Sequence, residues 1–253
     1  MPVLNSTQRF SSRVDNYIRY RPGYPPEVVE VLRRECSLQP ESVITDVGSG
    51  TGLLSRMFLE NGNVVYGVEP NPDMREAGER LLSGYSKFHS IAGTAEDTTL
   101  PERITDFVTA AQAAHWFDRE KARREFIRVL KLGGWAVLVW NERCIDTPFL
   151  RDYEQLLLTY ATDYEQVRHE HTTASIDSFF APSPFQSRAF DNRQEFDYAG
   201  LEGRLLSSSY TPQSDDARYA PMLRELRRVF DSHNQHDRVF FEYKTRLYYG
   251  QLS

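Results

Sequence analysis

A doubly wound, mostly parallel seven-stranded α/β fold with a helical cap is what this sequence predicts, and three observations carry the prediction. Val43 to Gly52 reads Val-Ile-Thr-Asp-Val-Gly-Ser-Gly-Thr-Gly, a β-branched run broken by alternate glycines and followed by an amphipathic stretch, Leu53–Asn61. Strand-like runs then alternate with helix-like ones as far as Trp140, the pattern of parallel βαβ units. Beyond Asn141 the pattern changes to a helical, aromatic-rich stretch at 148–180 and two long strand-like runs.

Each element has its own signal. Gly62 can close the helix after the first strand, and Val64–Glu69 reads as the second strand. Asn71-Pro72 supplies an N-cap and a proline at the first helical position, opening a helix to about Ser83 with Gly84 beyond it. Lys87–Ile91, Asp106–Ala111 and Trp135–Trp140 are further strands. Before the last of these, Ala122, Phe126, Val129 and Leu130 form a helical stripe within Asp118–Lys131, ended by Gly133-Gly134. Phe185–Tyr198 and Val239–Gly250 read as strands that close the sheet, with a helix over Leu223–Ser232 and loops at Ala181–Pro184 and Thr211–Asp216. The expected organisation is one domain over 1–253: an arm and first helix (1–40), a cofactor-binding core (43–140), and a cap with the closing strands (141–253).

Composition limits the function classes. With 253 residues and 40% hydrophobic content the chain can bury one sizeable core. Its net charge of −6 would repel a phosphate backbone, and the Arg-Arg pairs at 33–34, 123–124 and 227–228 sit beside glutamates on helix faces. Nucleic acid is therefore not an expected partner. Cys36 and Cys144 alone cannot build a disulfide framework or a thiolate metal cluster, and no apolar run approaches a membrane span. The expectations are free thiols, a cytoplasmic location and no membrane; the oligomeric state is left open, with a monomer favoured. His169 and His171 stand at i and i+2, not the four-residue spacing that puts two ligands on one helix face; no metal site is expected, there or at His233 and His236.

Gly48, Gly50 and Gly52 mark a nucleotide-type cofactor site, since they let the backbone take positive φ and let a ligand approach the main chain at a helix N-terminus. The spacing is Gly-x-Gly-x-Gly with Asp46 two places ahead, not the Gly-x-Gly-x-x-Gly that grips a pyrophosphate. Glu69 ends the second strand, where a carboxylate accepts from ribose hydroxyls or caps the next helix. Gly93-Thr94-Ala95-Glu96-Asp97 follows the third strand, where an adenine edge would fall.

On these residues the chain resembles the class I S-adenosylmethionine-dependent methyltransferases over Val43–Trp140. Through Phe10-Ser-Ser-Arg-Val-Asp-Asn-Tyr17-Ile-Arg-Tyr20-Arg21-Pro-Gly-Tyr24-Pro and Ala110–Asp118 it resembles the small-molecule branch that includes trans-aconitate methyltransferase-like proteins. The resemblance implies S-adenosylmethionine as cofactor, with S-adenosylhomocysteine as product. It implies that the turn, with Asp46 and Ser49, carries the methionine part, Glu69-Pro70 the ribose, Ala95-Glu96 the adenine and Gln112 the amino-acid end. Many relatives have Asp where this chain has Thr94, which leaves the adenine amino group to Glu96, Asp97 or backbone. Tyr17, Tyr20 and Arg21 are read as a lid over the cofactor's carboxylate.

The expected reaction is in-line methyl transfer to a small organic acceptor with one polar or anionic handle. His115 and Trp116 follow the fourth strand, where ligands sit in open α/β sheets; His115 is the candidate general base for a phenol or amine acceptor. Trp116, Tyr210 and the 148–180 cap are the candidate acceptor walls, with Arg143 for the handle. The alternatives are a non-catalytic cofactor-binding module and an NAD-linked oxidoreductase.

Overall fold

The computed structural model of the protein describes residues 14–162, 164 and 173–253. The Phe10–Arg13 start of the arm motif, and His169 with His171, lie outside the described residues. In chain order the elements are α1 (Val14–Tyr20), α2 (Glu27–Cys36), β1 (Val43–Val47), α3 (Leu53–Glu60), β2 (Val64–Val68), α4 (Pro72–Leu81), β3 (Phe88–Ile91) and β4 (Thr105–Ala111). A short 3-10 turn (Ala114–Trp116) leads to α5 (Arg119–Val129), β5 (Leu130–Arg143), α6 (Pro148–Tyr160), α7 (Thr173–Phe180), β6 (Phe185–Phe196), α8 (Tyr198–Leu206), α9 (Tyr219–His233) and β7 (Val239–Gly250).

The seven strands lie in the order β3-β2-β1-β4-β5-β7-β6. The first five are parallel, and β7 runs antiparallel between β5 and β6. Strand order reverses between β1 and β4, which opens a crevice at their carboxyl ends. The β1 side chains feed opposite layers: Ile44 packs with the α2–α3 core and Val47 with the core that contains Ala122 and Phe126 of α5. A third cluster joins Tyr153 and Leu157 of α6, Leu201 and Leu205 of α8, and Leu226 and Phe230 of α9 over the Phe241 end of β7. The cap thus covers the sheet on the carboxyl side of β5.

Several boundaries differ from the sequence expectation: β6 ends at Phe196 rather than Tyr198, α9 begins at Tyr219 rather than Leu223, and two further differences lie around β5. Helix α5 stops at Val129 rather than at the glycine pair, because Leu130 is already extended (φ −68°, ψ 135°) and pairs with Thr105. The register then shifts before Phe107 pairs with Trp135, and Gly133 takes φ 76° within that irregularity. Strand β5 also runs on to Arg143, since the antiparallel neighbour β7 pairs with it as far as Tyr243. Helix α8 had no expectation attached to it; Asp197 caps it by accepting from the Gly200 N–H at 2.8 Å.

Candidate functional site

The glycine turn is built from backbone. Gly48, Gly50 and Gly52 have φ of 68°, 56° and 85°. A Cβ on Gly48 would lie 2.6 Å from the Ala113 Cβ, so the turn cannot take a side chain there without moving the exit of β4. The Gly48 and Ser49 N–H groups donate to the Val68 carbonyl at 2.8 and 3.1 Å. Glu69 completes the arrangement: its Oε2 accepts from the Gly50 N–H (2.9 Å) and its Oε1 from the Asn71 N–H (2.8 Å). Burial raises the Glu69 carboxyl, and these two amides oppose the rise. Each carboxylate oxygen keeps a second lone pair for a ligand hydroxyl.

Asp46 lies beneath the turn. It accepts from Ser55 Oγ (2.6 Å) and Thr109 Oγ1 (3.0 Å), and burial pushes its carboxyl up to about 6 against both bonds. Pro70 is exposed beside Glu69, and Ala95 is buried. Glu96 accepts from the Asp118 N–H at 2.8 Å, which ties the β3 loop to the start of α5. Thr94 and Asp97 form a local turn, the Thr94 N–H donating to the Asp97 carbonyl at 2.9 Å.

A cavity of about 360 Å³ opens under the cap, beside the crevice at the turn, with which it shares Tyr17, Tyr24 and Leu53. It brings together Tyr17, Arg21, Gln112, His115, Trp116, Arg143 and Tyr210 from the sequence candidates. Gln112 takes φ 54° at the end of β4, and its side-chain amide donates to the Asn141 carbonyl at 3.1 Å. The His115 and Trp116 rings lie 4.7 Å apart on the 3-10 turn. Tyr20 is not brought in: its ring packs against Gly203 of α8 and edge-on to Phe196, so it docks α1 on the cap.

The arm is anchored at its end rather than detached. The Gly23 carbonyl accepts from Asn141 Nδ2 (3.0 Å) and Asn192 Nδ2 (2.8 Å), and Arg21 donates to the Ser207 carbonyl at 3.0 Å. The Arg21 guanidinium also lies 5.0 Å over the Tyr17 ring.

The cap side is built from long side chains. Arg143 is ion-paired with Glu154, both largely buried, and donates to Tyr164 OH at 2.7 Å, while Tyr164 donates to Glu154 at 2.6 Å. Arg143 is thereby compensated within the cap wall. Arg204, which sequence reasoning missed, also reaches the cavity. It is 7% exposed and donates to Tyr243 OH and Ser208 Oγ, each at 3.2 Å. Its sequence signal is a lone arginine in a stretch with no expected element. Among the described residues no cluster of His, Cys, Asp and Glu could hold a metal, and no helix is long and apolar enough to cross a membrane.

Residues 45–138 match the methyltransferase domain family. An uncharacterised methyltransferase of Mycobacterium tuberculosis (strain ATCC 25618 / H37Rv) is 35% identical over 148 residues, 58% of each chain. One from Schizosaccharomyces pombe is 31% identical over 149 residues, again 58% of each. The chain thus spans a little over half the length of these curated relatives. Among solved structures, a protein from Anaeromyxobacter dehalogenans provisionally described as a type II methyltransferase superposes with a TM-score of 0.67 at 20% identity, covering 92% of this chain and 98% of that one. That likeness is one of fold.

Proposed function

We propose that the chain, whose residues 45–138 match the methyltransferase domain family, is a class I S-adenosylmethionine-dependent methyltransferase that transfers a methyl group to a small organic acceptor held in the cavity under the cap. The observation that carries this reading is a shared wall. Tyr17, Tyr24 and Leu53 line both the cavity and the crevice at Asp46, Gly48 and Ser49. A ligand on the glycine turn would therefore face an acceptor across the tyrosines.

The residues fit the cofactor. The turn offers a side-chain-free approach, Glu69 offers acceptor capacity for a ribose, and Arg21 offers a cation for a methionine carboxylate. Gln112 would orient the amino-acid end, and Ala95 with Glu96 would face the adenine. S-adenosylmethionine, when bound, supplies an electrophilic sulfonium methyl group. What the protein adds is position: well-oriented reactants can recover about 7–11 kcal/mol of barrier. Trp116, Tyr164 and Tyr210 would hold the acceptor's apolar body and exclude water, while His115 would take a proton from an acceptor that arrives protonated. A cavity of about 360 Å³ suits a small molecule and not a polymer.

Calorimetry tests the cofactor first. S-adenosylhomocysteine should bind and NAD should not, and the reverse result would reject the reading. Radiolabelled methyl transfer to a panel of small phenols, acids and amines then tests the acceptor class; incorporation into protein or RNA alone would exclude it.

A further inference from the structure

Among the described residues, the cavity carries more positive charge than its carboxylates answer: three guanidiniums line it, Arg21, Arg143 and Arg204, against two carboxylates, Glu142 and Glu154. Glu154 is committed to Arg143, and Glu142 is paired with Arg246 at 2.9 Å. Among the described residues no carboxylate lies within ion-pair distance of Arg21 or Arg204. A buried guanidinium without a counter-charge is costly, and two in one cavity add mutual repulsion. Anions that enter with the ligands would relieve both costs.

The two cations are held differently. Arg21 comes from the arm that also carries Tyr17, on the side shared with the glycine turn. Arg204 comes from α8 in the cap and is held at two of its three nitrogens, Nε by Tyr243 and Nη1 by Ser208, with its guanidinium 5.8 Å from the centre of the Phe241 ring. Tyr243 in turn donates to Gln194 at 3.0 Å, which fixes the phenol beneath the guanidinium. Those two contacts leave the Nη2 end of the fork for a ligand. A planar guanidinium so held presents that end for a two-point contact with a carboxylate.

We infer that Arg204 is the anion anchor of the acceptor site, and that the acceptor is a small organic anion whose carboxylate, or a group of like geometry, lies end-on against Nη1 and Nη2 of Arg204. The inference rests on the proposed function and replaces Arg143 with Arg204 in it. The cofactor's own carboxylate is left to Arg21, and the compensated Arg143–Glu154–Tyr164 group becomes a rigid wall.

The test uses the full chain saturated with S-adenosylhomocysteine, whose binding is measured first so that failure of the cofactor reading is seen separately. Benzoate, cinnamate and 3-phenylpropionate are then titrated against their uncharged primary amides. At least one carboxylate should bind about tenfold or more tightly than its amide, the scale of a charged hydrogen-bonded contact. Arg204→Met should erase that preference with S-adenosylhomocysteine affinity unchanged, and Arg204→Lys, which keeps the charge and loses the fork, should retain part of it. Thermal unfolding of both variants identifies a folding defect, in which case Arg204→Lys carries the test. No preference for any carboxylate in the wild type, or a preference that survives Arg204→Met, would overturn the inference. So would loss of S-adenosylhomocysteine binding in a folded Arg204→Met, which would assign Arg204 to the cofactor's carboxylate.

Discussion

The glycine turn and the cap wall lie on either side of a shared wall of Tyr17, Tyr24 and Leu53, and they are built from opposite materials. On the turn, positive-φ glycines and backbone amides do the positioning, and a single carboxylate, Glu69, gathers two of those amides. On the cap, Arg143, Glu154 and Tyr164, from β5, α6 and the segment after α6, touch through their far ends, and Arg204 of α8 meets Tyr243 and Ser208 in the same way. The turn depends on what is missing from its side chains; the cap depends on long side chains meeting. Under the proposed function, a cofactor common to many enzymes would be served by a fixed backbone cradle, whereas an acceptor site would be adjustable by substitution.

On that contrast the cap should be the more fragile of the two to loss of one partner. Glu154→Ala strands the buried Arg143 charge, and breaking a buried pair costs about 3–5 kcal/mol. Chemical denaturation reads the loss directly; a change under about 1 kcal/mol would mean the pair behaves as a surface one.

The turn side should show itself in pH instead. Burial raises the Asp46 carboxyl from 3.8 to about 6. A raised acid favours the folded state while protonated, so its contribution is full below the unfolded value and is lost as pH rises through the folded one. Between about pH 4 and 6 the wild type should therefore lose about 3 kcal/mol relative to Asp46→Asn, since each pH unit separating the folded and unfolded titrations is worth about 1.36 kcal/mol. Parallel stability curves for the two proteins across that window would show that Asp46 titrates normally.

Glu69→Ala should act next in size. It removes the acceptor of the Gly50 and Asn71 amides as well as the proposed ribose contact. Hydrogen bonds to charged groups are worth about 1.5–3 kcal/mol, so S-adenosylhomocysteine affinity should fall roughly ten- to a hundredfold. Stability that drops with affinity intact would make Glu69 a brace for the turn and nothing more.

The same contrast explains what can be read from sequence. The turn is legible because backbone conformation is written locally: Gly48, Gly50, Gly52 and the Asn71-Pro72 start of α4 each act within a few residues, and Asn71 does cap its helix, accepting from the Met74 N–H at 3.0 Å. Strand alternation implies the parallel order for the same reason. The cap wall is not legible, because Arg204 meets Tyr243 39 positions away and nothing local marks either residue. Arg143 looks available from its place after the Trp135–Trp140 run, and only the α6 packing that brings Glu154 to it shows that it is compensated. Tyr20 shares a motif with Tyr17 and Arg21, yet three places along a helix from Tyr17 it turns toward Gly203 instead of the cavity. The end of α5 departs from expectation because pairing of Leu130 with Thr105 outweighs a helical stripe that continues in sequence.

Tyr210 gives the smallest effect and the finest test of the cap's charge. Burial alone would raise its phenol, but Arg204, then Arg143 and Arg21, favour the phenolate, and a hydrogen bond from Ser208 adds to them; the net direction is downward from 10.0. A depressed acid stabilises the fold above its unfolded value and loses that contribution as pH falls through the folded one, so the window lies on the alkaline side. Ultraviolet difference titration of the wild type should show one tyrosine ionising ahead of the rest, absent in Tyr210→Phe. Arg204→Met should move that step upward, because it removes the largest of the favourable charges. A carboxylate that binds at Arg204 should move it upward too, by cancelling the same charge without altering the protein. If the early step is present but indifferent to both, the guanidinium does not govern the field at Tyr210, and the cap wall is less tightly coupled than its geometry implies.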